Sequence, residues 1–316
     1  MDWSKRIGRR IRVQDLHILS AVVEFRSLAR AAEYLAISRP VVSRAIADLE
    51  TEVGVRLLDR DRHGAVPTIY GSTLLKRGAV VFDELRQSLN DIESLSDPKA
   101  GAVRIGCHNF LATGFVTAVI DRLSRSHPRM RFHLMPAETA GMQRDLHARN
   151  TDVLVAWRLG GLVTDDGLNF EHLYDDTCVV AAGAQHPLAQ RRTVTLADLA
   201  NERWALPPVD SILGAIEVPA FQAMKLEYPR ATVISVAAQA LISQLLTGRF
   251  LTIVPASMLR FPIRDRRIKI LPVELRMPRV PIGVVTLKSR MVGPATKVFM
   301  DTARQLALVA EAKRQV

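Results

Sequence analysis

The pattern of apolar and polar positions predicts three short helices near the start of the chain. Val13–Arg26 has apolar residues at three- and four-residue spacing, which indicates an amphipathic helix. Ser27 can cap a second helix, Leu28–Leu35, because its hydroxyl can accept a hydrogen bond from an orphan backbone N–H. Ser38 is expected to cap a third helix, with Pro40 in its first turn and one apolar face: Val42, Ile46 and Leu49.

The opposite face of the third helix is polar and basic. Arginine can make bidentate contacts to guanine or bind a phosphate, and serine can form hydrogen bonds with either base edges or phosphates. Two helices joined by a tight turn can lay the second helix in a DNA major groove. The alternative is a plain helical bundle with a solvated basic face. The residues predicted to contact DNA here are Ser27, Arg30, Ser38, Arg39, Pro40, Val41, Ser43 and Arg44.

A basic hairpin, or wing, is predicted after the third helix. Gly54 can adopt a positive φ and end that helix. Val55–Leu58 and Val66–Thr68 are strand-like and flank the sequence DRDRHG. A basic wing suits contact with phosphates or the minor groove, and its predicted contacts are Arg60, Arg62, His63 and Thr68. Residues 1–12 add a basic arm that is expected to be disordered without DNA.

A long helix is predicted from Thr68 to Ser96. Its apolar positions alternate three- and four-residue steps, the spacing of a coiled-coil seam. The seam can pack on its own domain or pair with the same helix of a second chain, and pairing is the favoured interpretation. The residues predicted to mediate dimerisation are Leu75, Phe82, Leu85, Leu89 and Ile92; Gly78 lies in the same seam.

From residue 102 onward the pattern alternates strands with helices, which is typical of α/β sheets. Strands are predicted at 103–106, 132–135, 152–156, 178–182, 231–235, 251–254 and 281–287, and helices at 110–126, 142–148, 196–199, 216–225, 237–246 and 296–312. The chain returns from a second half to the first, which predicts two lobes. Ligands of such sheets bind beyond the carboxyl ends of the strands, here in the cleft between the lobes.

Polar residues follow several of these strands and are the candidates for a small-molecule site. The loop after the first strand opens a helix, where backbone N–H groups favour an anionic or polar ligand. The candidates are His108, Asn109, Phe110, Glu138, Thr139, Arg158, Asp210, Ser211 and Arg249. Each of them is nearly as suited to capping a helix as to touching a ligand.

The distribution of charge along the chain supports DNA binding by the head less than the net charge suggests. The 316 residues carry a net charge of +11, which invites a nucleic-acid partner. Residues 1–100 hold 16 Lys and Arg against 14 Asp and Glu, a net of +2, so the excess lies mostly outside the predicted DNA-binding head. No secretory signal or bilayer-spanning apolar run is visible, and two cysteines give no disulfide framework. A reducing bacterial cytoplasm, and no membrane partner, are therefore expected.

The sequence offers little for catalysis, metal binding or a cofactor. It has no nucleophile elbow, glycine-rich phosphate loop or paired-carboxylate motif, so the protein is not expected to be an enzyme. The spacing of His108, His127, His133 and His147 predicts no metal site, and no cofactor is expected. Cys107 and Cys178 are interpreted as structural, with a redox switch as the alternative.

Residues 14–75 resemble the winged helix-turn-helix of LysR-type transcriptional regulators. The pattern comprises Leu16, Ser27, Ala31-Ala32, Leu35, Ser38, Pro40, Ser43, Ile46, Leu49-Glu50, Gly54, Leu57, Arg60, Pro67-Thr68 and Gly71. Leu28 replaces the usual Phe after the Ser, and Arg39 replaces a Gln that often contacts bases in the family. These departures leave the binding mode in place and put the operator preference in question. The stretches SRPVVSRAIADLE and LSDPKAGAVRIG resemble the branch named for galactose-binding-protein regulators.

The resemblance covers the whole chain and implies a fold with two parts. The first is an N-terminal all-α winged helix-turn-helix with a long linker helix, and the second a C-terminal α/β two-lobed, periplasmic-binding-protein-like effector domain. The implied boundaries are an arm at 1–12, a DNA-binding domain at 13–70, a linker helix at 71–97, a hinge at 98–101 and an effector-binding domain at 102–316. Its first lobe would comprise 102–175 and 276–316, and its second lobe 176–275.

The resemblance also implies the function. The expected protein binds an operator with an inverted repeat in double-stranded DNA, as a homodimer or homotetramer, and acts with RNA polymerase at a promoter. A small-molecule effector in the cleft, such as a sugar or an organic acid, would modulate it. The family binds effectors through loops that correspond to Asn109, Thr139, Asp210 and Ser211 here, and to His108 and Arg158. The alternatives are a cysteine-based redox sensor, an enzyme tethered to DNA and a ligand-free architectural DNA binder.

Overall fold

The computed structural model describes residues 7–61, 64–97, 99–159, 161–195, 197–261, 267–273 and 275–312. The chain forms two compact units, Met1–Leu89 and Asn90–Val316. Their boundary falls within the long helix, and the hinge predicted at residues 98–101 stays a prediction.

The first unit is a helical head with a hairpin. Its elements are α1 (Val13–Phe25), α2 (Leu28–Tyr34), α3 (Arg39–Val53), β1 (Leu58–Asp61), β2 (Gly64–Pro67) and the start of α4 (Ile69–Ser96). The predicted apolar face of α3 is buried, and Val42, Ile46 and Leu49 are at most 1% exposed. Gly54 ends α3 with a φ of 79°. These contacts fix α3 against α1 and α2 and leave its other face outward.

The hairpin begins three residues later than the sequence predicted. The backbone N–H groups of Leu57 and Leu58 donate to Glu50 Oε1 at 2.7 and 3.1 Å. Residues 55–57 therefore form a loop that is fastened to α3, and pairing with β2 starts at Leu58, opposite Pro67.

The second unit contains two five-stranded sheets. The first sheet has the order β4-β3-β5-β12-β6, and the second the order β11-β7-β10-β8-β9. The strands are β3 (Ala100–Cys107), β4 (Arg129–Pro136), β5 (Val153–Trp157), β6 (Leu168–Asp176), β7 (Cys178–Gly183), β8 (Trp204–Leu206), β9 (Ala231–Ile234), β10 (Leu251–Pro255), β11 (Ile268–Ile270) and β12 (Val280–Leu287). The sequence did not predict β6, β8 or β11.

Helices cover these sheets. They are α5 (Asn109–Leu111), α6 (Thr117–Ser126), α7 (Thr139–His147), α8 (Gly161–Thr164), α9 (Gly214–Ala223), α10 (Ala238–Leu246), α11 (Ala256–Arg260) and α12 (Pro294–Ala312), with 3₁₀ turns at Pro187–Gln190 and Ala197–Leu199. The helix predicted at 110–126 is interrupted by a π-helical turn, Ala112–Val116. Within the described residues, no helix combines the length and apolar character needed to cross a membrane.

The chain crosses between the lobes directly after β6 and again between β11 and β12. At the first crossing the buried carboxylate of Asp176 accepts hydrogen bonds from the backbone N–H groups of Thr177 at 2.9 Å and Ser257 at 3.1 Å. The Ser257 hydroxyl donates to the same carboxylate at 2.5 Å. Burial raises the pKa of Asp176, while these donors act in the opposite direction. The crossing is thus tied to the start of α11.

Candidate functional site

The exposed face of α3 carries the predicted DNA contacts. Arg39, Pro40, Val41 and Arg44 are exposed, and Ser43 is half-buried beside them. Their position follows from the packing of the opposite face, since residues that alternate around a helix cannot all face the core. The face therefore presents two guanidinium groups and one hydroxyl on a rigid helix.

The two predicted cap serines behave differently. The Ser27 hydroxyl accepts from the backbone N–H of Arg30 at 3.4 Å, and the Arg30 side chain is exposed. Ser38 occupies the N-cap position of α3, but its side chain makes no cap hydrogen bond. Ser38 is exposed at the start of α3, so its hydroxyl is more accessible than the sequence suggested.

The wing is held close to the helices by tight backbone contacts. A Cβ added at Gly71 would lie 2.0 Å from the carbonyl oxygen of Leu57, so only glycine fits there. The Thr68 hydroxyl donates to the Arg56 carbonyl at 2.8 Å and accepts from the Gly71 N–H at 3.1 Å. Thr68, which was predicted to contact DNA, therefore has its hydroxyl engaged in fixing the hairpin to α4.

Of the remaining predicted wing contacts, one lies within the described residues. Arg60 belongs to β1, whereas Arg62 and His63 lie outside the described residues.

The predicted seam on α4 divides into two parts. Leu75 packs on the core of the head, and the ring of Phe82 lies 5.9 Å from that of His17 on α1. A Cβ at Gly78 would contact Leu16, so the first half of the seam faces the head itself. The second half is open: Leu85, Leu89 and Ile92 are 49%, 68% and 59% exposed. Packing on its own domain therefore accounts for the first half of the seam, and pairing with a second chain stays a prediction for the second half.

The carboxyl ends of β3, β4 and β5 bring three side chains together. His108 Nε2 lies 3.0 Å from Thr139 Oγ1, and the imidazole stacks on the Trp157 indole with ring centroids 4.8 Å apart. His108 is buried, and its Nδ1 has no hydrogen-bond partner in the described structure. Burial lowers the pKa of His108 to about 3, so the imidazole is neutral at physiological pH. His108 and Trp157 are only 1% and 2% exposed, so in this conformation the half-buried Thr139 is the member of this group that a ligand can reach.

Other candidates of the first lobe take different positions. Phe110 is 5% exposed and belongs to the hydrophobic core, so it is not available to a ligand in this conformation. Asn109 is half-buried at the start of α5, and Glu138 is exposed at the N-cap of α7. The Arg158 guanidinium lies 5.2 Å from the centre of the Phe170 ring. Because the side chains of consecutive strand residues point to opposite faces of a sheet, the side chain of Arg158, directly after β5, points to the face opposite that of Trp157.

The candidates of the second lobe follow β8 and precede β10. Asp210 and Arg249 are exposed. The Ser211 hydroxyl donates to the Pro208 carbonyl at 2.6 Å and accepts from the Gly214 N–H at 3.2 Å, which makes it part of the turn that starts α9. Asp210 and Arg249 are therefore the side chains here whose polar groups are open.

Sequence reasoning did not select Trp157 as a site residue, although it contacts His108. A tryptophan that ends an apolar strand cannot be distinguished from a core residue by its sequence pattern, and the stacking on His108 appears only in the structure.

Both cysteines are buried free thiols. Burial raises the pKa of Cys107 to about 12 and that of Cys178 well above its ordinary value. The thiolate is the reactive form, so neither group has the character of a redox sensor. Among the described residues, no group of three His, Cys, Asp or Glu side chains is placed to hold a metal ion.

Comparisons with known proteins match both units. Residues 13–72 match the family model of a bacterial regulatory helix-turn-helix protein of the lysR family, and residues 96–307 match the LysR substrate binding domain. The HTH-type transcriptional regulator GbpR of Azospirillum brasilense is 24% identical over 93% of this chain and 86% of its own length. The regulator TdcA of Escherichia coli is 23% identical, with 93% of each chain covered.

Solved structures show the same fold. Full-length CbnR in complex with its target DNA has a TM-score of 0.66 at 21% identity, over 93% of this chain and 99% of CbnR. A full-length OxyR from Pseudomonas aeruginosa has a TM-score of 0.64 at 17% identity, over 93% of this chain and 95% of OxyR.

Proposed function

Because the chain belongs to the LysR family of DNA-binding transcriptional regulators, we propose that α3 is its recognition helix and that the β1–β2 hairpin is its wing. The observation that supports this assignment is the exposed face of α3, on which Arg39, Ser43 and Arg44 stand opposite a fully buried apolar face. Arg39 is the position at which operator preference is expected to differ from relatives.

The experiment is a comparison of Arg44→Ala with Arg77→Ala, which removes an exposed arginine from α4. Arg44→Ala is expected to weaken operator binding by about 1–3 kcal/mol if it reads a base, because a bidentate contact is lost. Effector binding should be unaffected. Fluorescence anisotropy with operator and scrambled duplexes measures both affinities. Equal operator affinity for Arg44→Ala and the wild type would remove α3 from the recognition role.

We propose further that the effector binds in the cleft between the lobes, against the His108–Thr139–Trp157 group. The unpartnered Nδ1 of a neutral, buried imidazole supports this assignment, because such a group is expected to find a partner in a complete site. A sugar or an organic acid fits the branch resemblance. Asn109, Asp210 and Arg249 are the further side chains that a closing cleft brings towards a ligand.

Thr139→Val tests the effector site, with Thr139→Ser as the control that keeps the hydroxyl. The valine variant loses the one hydrogen-bond partner that the described residues give the imidazole, so its effector dose–response should shift to higher concentration by about five- to 150-fold, as expected when a buried polar group loses about 1–3 kcal/mol of hydrogen bonding. Operator binding without effector should be unchanged. A panel of sugars and organic acids in a thermal-shift assay supplies the effector. An unaltered dose–response would remove Thr139 from the site.

The remaining proposals concern the roles of the domains, the assembly of the chains and their cellular location. We assign residues 13–70 to DNA binding, 71–97 to a dimerising linker and 102–316 to effector binding, with dimers that associate into tetramers. The protein would act on promoter DNA in the bacterial cytoplasm, together with RNA polymerase and without catalysis of its own. The buried, protonated thiols of Cys107 and Cys178 argue against a redox-sensing alternative.

A further inference from the structure

Two ion pairs join the end of α4 to β4, an edge strand of the first lobe. Arg131 donates to the two carboxylate oxygens of Glu93 at 3.1 and 3.0 Å, and Arg129 donates to the carboxylate of Asp97. Both carboxylates precede residues 98–101 in the chain, and both arginines follow them. The two pairs therefore bridge the segment that the sequence predicts as the hinge.

The spacing of the charges on the two elements matches. The Asp97 N–H donates to the Glu93 carbonyl at 2.9 Å, so the two carboxylates are one helical turn, or about 6 Å, apart along the helix axis. Arg129 and Arg131 lie on one face of β4, about 6–7 Å apart along the strand. The earlier carboxylate binds the later arginine, so α4 and β4 run in opposite directions here. Both pairs can therefore form at once while the helix and the strand keep their regular geometry.

The turn after α4 allows the end of the helix to lie close to the first lobe. Gly101 has a φ of 133°, and a Cβ at this position would lie 2.9 Å from both Ser94 Oγ and Ala295 Cβ. The Asp97 carboxylate also accepts a hydrogen bond from the Lys99 N–H at 2.9 Å. The same carboxylate therefore takes part in the turn and in the contact with β4.

Both ion pairs are exposed to solvent, which makes them weak and reversible. The side chains of Arg129 and Arg131 are 65% and 64% exposed. Salt screens such pairs, and each contributes little to stability. The Arg290–Asp152 pair of the same lobe differs, because its side chains are only 3% and 2% exposed. The buried pair is suited to holding the lobe together, whereas the pairs at the end of α4 can open without unfolding the lobe.

We propose that Glu93–Arg131 and Asp97–Arg129 form a reversible latch, which holds the end of the linker helix on the first lobe when closed and lets the helix turn about residues 98–101 when open. The latch rests on the proposed assignment of residues 71–97 to the linker. It lies at the amino end of β4, and Thr139 of the proposed effector site follows the carboxyl end of the same strand. A ligand there would shift the latch if it bound the closed and the open arrangement with different affinity.

Distances between two spin labels in the full-length protein test the latch. The labels are attached at Leu95→Cys on α4 and Ser124→Cys on α6, which are exposed positions on the two sides of the hinge. The native thiols of Cys107 and Cys178 are buried, so the introduced cysteines are the accessible ones among the described residues. An excess of unlabelled chains excludes distances between protomers. The wild type at low salt is expected to give one main distance, that of the closed latch.

Charge reversal should open the latch. Arg129→Glu with Arg131→Glu places like charges on both sides, and the fraction of chains at longer distances is expected to rise about two- to thirtyfold. Adding Glu93→Arg and Asp97→Arg exchanges the charges of both pairs and should restore the main distance. Circular dichroism checks that both variants are folded. A distribution that the exchange failed to restore would overturn the latch, because the pairs themselves would then not hold the helix.

The matched control, Arg144→Glu with Arg192→Glu, makes the same change of charge at exposed positions outside the latch and should keep the main distance. Salt supplies a test that needs no charge variant. Raising the salt concentration from about 0.05 to 1 M shortens the screening length to about 3 Å and should raise the open fraction of the wild type. A distribution that ignored salt, or that was the same in the reversal variant and the control, would overturn the latch. Neither DNA nor effector is present, so the results do not depend on the assignments of α3 or of the effector site.

Discussion

One buried carboxyl group of the second lobe has a strongly raised pKa. Glu217 on α9 is fully buried, and its Oε2 accepts from the Tyr228 hydroxyl at 2.5 Å. Its Oε1 has no hydrogen-bond partner in the described structure. Burial raises the pKa of Glu217 to about 8 from an ordinary value of 4.5. The native lobe therefore retains a proton at neutral pH that the unfolded chain releases.

This retained proton predicts a pH-dependent stability. The pKa of Glu217 is higher in the folded protein than in the unfolded chain. The stability that its proton contributes is therefore fully present below about pH 4.5 and is lost as the pH rises through 8. At about 1.4 kcal/mol for each pKa unit, the loss amounts to several kcal/mol. Glu217→Gln should abolish the fall in the free energy of unfolding between these limits, as measured by urea denaturation of the effector domain.

Glu227→Gln is the control, since it makes the same change at an exposed position a few residues away. It should leave the pH dependence of the wild type in place. If Glu217→Gln showed the same alkaline loss of stability as the wild type, the proton would have to be held elsewhere.

Among the elements, the π turn Ala112–Val116 of the first lobe contacts α11 of the second lobe. It packs on α11, and a Cβ at Gly114 would lie 2.7 Å from Met258 Cα and 3.0 Å from the Ser257 carbonyl oxygen. Ser257 is also the residue that binds Asp176 at the crossing. The π turn and the first crossing between the lobes therefore both contact the short helix α11.

Gly114→Ala is expected to destabilise the effector domain by about 1–3 kcal/mol, because the added methyl group meets backbone that cannot move alone. Gly141→Ala in α7 is the matched control: its Cβ would meet only Ala137 Cβ at 3.5 Å and the end of the Arg144 side chain. That change should be neutral or stabilising, as alanine is the better helix former. Thermal unfolding followed by circular dichroism separates the two, and similar melting temperatures would contradict the close contact.

The elements also show how far the sequence could predict the structure. The periodicity of residues 110–126 predicted one helix correctly in place and length, but not its π turn, because that turn depends on residues 257–258, far along the chain. β8 and β11 have three residues each, too few to show alternation. The apolar faces of α1 and α3 were predictable because local spacing alone decides them. The His108–Thr139–Trp157 group was predictable only in part, since Trp157 joins it through a contact with His108, which follows a different strand.

At the scale of the whole molecule, α4 has one half that packs on the head and one half that is exposed. The first half of α4 packs on the head through Leu75 and Phe82, and its second half exposes Leu85, Leu89 and Ile92. Periodicity gives the same signal for both halves, so the sequence could not divide them. An exposed apolar row of this length is unfavourable in water unless a second chain covers it. Pairing of two chains would place two recognition helices on one operator with two half-sites.

Leu89→Glu is expected to break this pairing, because burying a carboxylate in an apolar seam is costly. The variant should sediment as a smaller species than the wild type and should bind a two-half-site operator no better than an isolated half-site. Gln87→Glu adds the same charge on the opposite side of α4, away from the face of Leu85, Leu89 and Ile92, and should keep both the assembly and the operator affinity. If Leu89→Glu still sedimented with the wild type, the exposed row would not be the dimer interface. The two recognition helices would then have to be joined through the effector domains.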